Sequence, residues 1–252
     1  MLKSIIVASA LLAACATPAF ASPLADDPAA TATPTSLSAR LGDSIHHASD
    51  RASGLLANAL GWDRGEAERH NRLQQRLRMG CVLAPGAQRV QDFQTAQLAK
   101  DDKAWTTWGV PEERAGGAGT YAGPHLRWRD YHADLTAWVA FTLMPTDEAP
   151  TLDTIASAID QPARPLFIGR KPCLPTSRLV AGWQEAADVR SALQAIVSAQ
   201  QGQGWRAQWP DGEGEQPGDH LSDICDERNW QTQLHGGWRP VRQGLLHAEG
   251  RA

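Results

Sequence analysis

The sequence has no CxxC pair, no HExxH, no GxSxG elbow, no GxxxxGK[ST] loop and no GxGxxG fingerprint. Zinc knuckles, dithiol redox sites, zincins, α/β-hydrolases, P-loop enzymes and Rossmann cofactor binding lose their sequence support with them. Positive charge is not in excess: 24 Lys and Arg face 28 Asp and Glu, for a net charge of -4. No global field draws this chain onto nucleic acid, so anion binding must come from local clusters. No two carboxylates stand out as an acid/base dyad, and His46-His47 has no acidic framework that would complete a metal site. An ordinary metabolic enzyme, a metal centre and a bound cofactor are therefore not expected. Tyr and Phe are scarce, at two and four copies, whereas Trp occurs ten times. That many tryptophans serve a core, an interface or platforms for stacking bases.

The 252 residues suit one domain with embellishments or two small ones. The four cysteines, Cys15, Cys81, Cys173 and Cys225, are widely spaced and read as reduced, partly buried thiols. The N-terminus argues the other way. Residues 1–22 carry a lysine, an apolar run and small residues around Ala19-Phe20-Ala21, the grammar of a secretory signal. Leu12-Ala13-Ala14-Cys15 also matches a lipobox, with Cys15 as the lipid acceptor. The run is too short for a membrane-spanning helix. Residues 23–47, rich in Ala, Thr, Ser, Pro and Asp, read as a disordered linker.

Periodic structure begins near residue 48. Helical spacing predicts a helix through 53–60 with Gly61 at its end, and a second over 64–78 with Leu73 and Leu77 inward and Arg69, Arg72, Arg76 and Arg78 forming a basic side. Strands are predicted at 79–83 and 90–95, as partners, and at 125–129, 135–143 and 166–168. Helices are predicted from Thr151 to about 160 and over 186–199; 200–218 reads as a loop. Residues 97–124 lose periodicity and contain Trp105, Trp108, Arg114 and a Gly-rich run, as in a projecting finger. This order predicts an α+β fold of the ferredoxin-like or RRM-like kind, with an inserted thumb and a loop-rich C-terminal part.

Two clusters look built for an anion. In P-L-F-I-G-R-K-P-C-L-P, residues 165–175, Arg170 and Lys171 sit on a turn between Gly169 and Pro172. Glycine lets a partner backbone come close, proline fixes the turn, and a guanidinium can bind phosphate through two donors. In the second cluster His125, Arg127, Arg129 and Tyr131 alternate, which places them on one face of a strand, as in sheets that hold single-stranded RNA. The opposite face, Leu126, Trp128 and Asp130, contains one polar misfit.

Six segments taken together carry a family resemblance: S-G-L-L-A-N-A-L-G-W at 53–62, N-R-L-Q-Q-R-L-R at 71–78, D-F-Q-T-A at 92–96, H-L-R-W-R-D-Y-H-A-D at 125–134, R-P-L-F-I-G-R-K-P-C-L-P at 164–175 and W-Q-T-Q-L-H-G-G at 230–237. Their order and spacing resemble the CasD family of RAMP proteins, the subunit of type I-E CRISPR Cascade complexes that holds the five-prime repeat-derived handle of crRNA. The resemblance spans roughly residues 52–247. It implies an RRM-like domain with a thumb at about 97–124, crRNA and the backbone and large Cascade subunits as partners, a cytoplasmic role in antiviral defence and maintenance of CRISPR repeat elements, and no membrane contact. Gly169, Arg170, Lys171, His125, Arg127, Arg129 and Tyr131 would contact RNA. Trp105, Trp108 and Arg114 would intercalate or meet a neighbouring subunit. The resemblance implies no catalysis; the alternatives are a metal-independent ribonuclease using Tyr131, His132 or His125 and Lys171, or an exported periplasmic protein. Family members open with an apolar strand, so the resemblance implies that the signal-like segment replaces that strand here and leaves the sheet with an open edge.

Overall fold

The computed structural model describes residues 2–11, 14–15, 48–96, 104–105, 111–112, 125–167, 173–232 and 234–249. Its centre is a seven-stranded antiparallel sheet. In chain order the strands are β1 (Leu2–Leu11), β3 (Leu77–Leu83), β8 (Leu135–Leu143), β9 (Val180–Ala186), β10 (Trp205–Pro210), β11 (His220–Arg228) and β12 (His235–Leu246). In space they run β11-β12-β10-β3-β8-β1-β9. Helices α1 (Ala48–Leu60) and α2 (Ala67–Arg76) join β1 to β3, and α3 (Leu152–Asp160) joins β8 to β9. The unit β3-β8-β1-β9 with these crossovers is the βαββαβ ferredoxin-like arrangement. Helix α4 (Val189–Ala199) and the last three strands extend it.

β1 corrects the expectation of a missing first strand. Residues 2–11 of the segment read as a signal lie inside the sheet, with Ile5 opposite Phe141 of β8 on one side and Trp183 of β9 on the other. A strand covered on both faces needs apolar residues at successive positions rather than alternate ones. Ile5 and Val7 pack under α1 and α3 with Leu56, Met79, Phe141, Leu143, Ile155 and Ile159. Ile6 faces the other way, among Val82, Ala140, Leu193, Val197 and Trp209. Cys15, read as a lipidation site, lies in β2 (Ala14–Cys15) and pairs with Tyr131.

Local chemistry sets the helix starts. Thr151 Oγ1 accepts a hydrogen bond from the Thr154 amide, and Asp188 Oδ1 accepts one from Ser191 at 2.7 Å. Helix α4 lies against the sheet face that an RRM leaves open. It comes so close at Gly80 that a Cβ there would meet Gln208 O at 2.8 Å and Val189 Cγ1 at 2.9 Å.

Several expectations change in detail. The strand at 90–95 is β4 (Gln88–Ala96), and it pairs with β7 (His125–Ala133), not with β3. Leu166 and Phe167 are not in a strand; the fourth strand of the ferredoxin-like unit is β9. The stretch 200–218 contains β10, and the C-terminal part carries long strands as well as loops. Three of the four arginines on the basic side of the second helix are taken up within the chain. Arg69 pairs with Glu66, and Arg72 grips Glu148 through two nitrogens. Buried Arg76 donates to the carbonyls of Pro145, Glu148, Ala149 and Pro150. The linker-like segment 23–47 lies wholly outside the described residues.

Candidate nucleic-acid interface

The β3–β8 pair does not stop at the end of the sheet. Leu83 faces Ala137, Ala84 donates to Thr136 O at 3.0 Å, and the pairing resumes as Gln88 opposite Ala133 with a one-residue slip. Gly86 (φ 108°) and Asp134 (φ 56°) sit at the slip, and both residue types tolerate left-handed backbone. The bend carries β4 and β7 away as a two-stranded ribbon, with β2 flanking β7 at its base. The insertion 97–124 leaves from the ribbon's tip. Its described parts are β5 (Ala104–Trp105) and β6 (Pro111–Glu112), which pair with each other. The Trp105 side chain, Trp108 and Arg114 lie outside the described residues.

Strand alternation gives the ribbon two faces. His125, Arg127, Arg129 and Tyr131 occupy one, in register with Ala96, Gln94, Asp92 and Val90. The side chains of His125 and Arg127 lie outside the described residues. Arg129 is half-buried, and its Nε has no hydrogen-bond partner among the described residues. Tyr131 does not stand clear of the domain: it packs against a buried cluster of Cys81, Leu83, Leu135 and Cys173. His132, next in the chain and on the other face, is buried.

The Gly169-Arg170-Lys171 turn also lies outside the described residues, but both its flanks are fixed. Leu166 before it is buried under α1 and α3, and Cys173 after it is buried in the cluster that holds Tyr131. The two sequence clusters, about forty residues apart, therefore share one anchor at one end of the sheet. Cys81 shows how dry that anchor is. Burial pushes its thiol up to about 12, against a smaller opposing pull from Arg239, so Cys81 is an inert packing group. Cys81, Cys173 and Cys225 are free thiols.

Sequence alternation did not reveal the ribbon's second face. Leu126 is 40 % exposed, Phe93 52 % and Trp128 57 %. Phe93 and Trp128 sit directly opposite each other, ring centroids 5.4 Å apart and tilted by 52°. A period of two says that Leu126 and Trp128 share a face; it does not say which face is covered.

Several described arginines elsewhere are committed within the chain. Arg178 binds Asp160 bidentately, Arg239 binds the buried Asp226, Arg242 bridges Asp211 and Glu215, and Arg164 holds Asp63 with two backbone carbonyls. Among the described residues no group of three or more His, Cys, Asp or Glu is placed to hold a metal ion. Among them, too, no helix is long and apolar enough to cross a membrane.

A family model described as CRISPR-associated protein (Cas_Cas5) matches residues 52–242. No curated protein matches the chain. A chain described as a CRISPR RNA-guided surveillance complex is similar with a TM-score of 0.57 at 16 % identity, over 98 % of this chain and 91 % of that one. A Cas protein crystal structure is similar with a TM-score of 0.50 at 16 % identity, over 99 % of each chain. At that identity the structures speak for the fold alone, while the family match spans about three-quarters of the chain and takes in the ribbon, the 169–171 turn and its Cys173 anchor. The chain belongs to the Cas5 family of CRISPR-associated proteins.

Proposed function

We propose that this protein is the RNA-binding subunit of a Cascade-type CRISPR interference complex, that it holds the repeat-derived five-prime handle of crRNA, and that it acts as a CasD subunit of the type I-E kind. The observation that carries this is the shared anchor. Tyr131 of the ribbon packs against the buried cluster that holds Cys173, so the segment two residues after Lys171 meets the ribbon two residues after Arg129. On this reading Arg129, Arg170 and Lys171 supply the cations of a local phosphate grip that the net charge of -4 does not advertise.

The role is binding without cleavage. A ribonuclease built on Tyr131 and His132 would need both groups at one phosphate, whereas Tyr131 packs into the core cluster and His132 is buried on the opposite face of the strand. We place the protein in the cytoplasm with other Cascade subunits, because signal cleavage after residue 21 would remove β1 from between β8 and β9.

Co-purification tests the reading. Tagged chain expressed with its neighbouring genes should bring down partner subunits and a discrete guide-length RNA. Arg170→Ala with Lys171→Ala should lose that RNA while the chain stays folded. Recovery of the chain alone, or an unchanged RNA yield in the double variant, would sink the proposal.

A further inference from the structure

The cationic face of the ribbon is the one that sequence points to; the solvent-facing aromatics are on the other. Phe93 and Trp128 form a cross-strand pair in mid-ribbon, more than half exposed, with Leu126 beside them on the same face. Their rings, 5.4 Å apart and tilted by 52°, are in contact but not stacked flush. Leaving two large rings in water forgoes the stabilisation of burying them, so a partner that covers them is the natural explanation.

We infer that Phe93 and Trp128 are a stacking platform for unpaired bases of a single-stranded RNA, a role that rests on the reading of the protein as an RNA-binding subunit. Three observations select bases over a protein. First, the patch comprises three side chains on a two-stranded ribbon, well short of the roughly 800 Å² per partner that a stable protein interface covers. Two rings are enough for one or two bases, and every base offers a flat face to them. Second, the ribbon is locally basic, with Arg89, Arg127 and Arg129 against Asp92 and Asp130, in a chain whose net charge is -4. Third, the platform adjoins the proposed grip along the ribbon, on its other face: Trp128 is next in the chain to Arg129, and Phe93 to Asp92, which lies opposite Arg129.

The test uses the full chain and two probes of equal charge: an oligoadenylate about ten nucleotides long, and an abasic ribose-phosphate chain of the same length. Anisotropy titrations of wild type should show the base-bearing probe bound roughly tenfold or more tightly. Phe93→Ala with Trp128→Ala should abolish that preference and leave abasic binding and salt dependence unchanged; Trp128→Phe should retain most of the preference. The conservative variant and a far-UV circular dichroism spectrum separate lost stacking from lost fold. Equal wild-type affinity for the two probes overturns the platform while leaving the phosphate grip intact. A double variant that keeps its base preference but no longer co-purifies with partner subunits overturns it in favour of a protein contact. If neither probe binds wild type, the RNA-binding reading fails, and the platform with it.

Discussion

Gly80 shows how single residues set this structure. It lies in β3 where α4 crosses, with Gln208 O, Val189 Cγ1 and Leu193 Cδ1 all at or within 3.0 Å of where a Cβ would stand. Gly80→Ala must push the helix or the β10 backbone, and overpacking of that kind costs about 1–3 kcal/mol. A urea midpoint equal to wild type would show that α4 is not seated so tightly. Arg76 works by bonding rather than by shape: its guanidinium satisfies four loop carbonyls while the residue is 1 % exposed. Arg76→Met fills similar space but leaves those carbonyls bare, for a loss on the order of 3 kcal/mol, to be read from the same denaturation curve. Glu213 gives a pH signature. Burial raises its carboxyl above the ordinary 4.5, opposed by the hydrogen bond it accepts from the Arg190 amide. A carboxyl raised in the folded state contributes stability at pH below its unfolded value and loses that contribution as pH rises through its folded value. Glu213→Gln should therefore be at least as stable as wild type near neutrality, with a smaller fall in melting temperature between acid and neutral pH. Parallel pH profiles for the two proteins would refute a role for Glu213.

At the scale of elements, β1 is the sharpest case. Ile5-Ile6-Val7 must be apolar at every position because helices cover both faces of the sheet, and an uninterrupted apolar run is also what an export signal shows. Periodicity cannot separate the two, which is why the strand was hidden. The structure makes the distinction testable. A chain starting at residue 23 would lose the strand between β8 and β9 and expose both edges. It should be insoluble or lack a cooperative thermal transition, whereas an exported protein with a cleaved signal would fold normally in that form. Elements with internal periodicity were legible: β3, β8, α1, α3 and α4 lie close to where alternation or helical spacing puts them. β9 and β10 were not, because Gly182 interrupts the first and the second follows a polar Gly- and Gln-rich stretch, so both depend on a ladder with distant partners. The candidate site divides the same way. Alternation placed the 125–131 face, but the Tyr131–Cys173 anchor and the ion pairs that absorb Arg72 and Arg76 join residues far apart in the chain, and no local pattern encodes them.

For the whole molecule, the arrangement constrains how RNA could be held. Helix α4 covers the sheet face that RRM domains use, the net charge is negative, and many of the described arginines are committed to carboxylates or backbone carbonyls. If the proposed RNA-binding role holds, binding must then be local, through a few cations rather than a broad basic surface. The candidates are Arg127, Arg129, Arg170 and Lys171, which can neutralise at most four phosphates. For single strands each neutralised phosphate contributes about 0.7 to the slope of log affinity against log salt, so the slope should be no steeper than about -3. Arg170→Ala with Lys171→Ala should flatten it by about 1 to 1.5. The measurement is a salt titration of handle RNA with the purified chain. A wild-type slope twice as steep would require more phosphate contacts than these four cations can make, and the phosphate grip would have to be sought elsewhere.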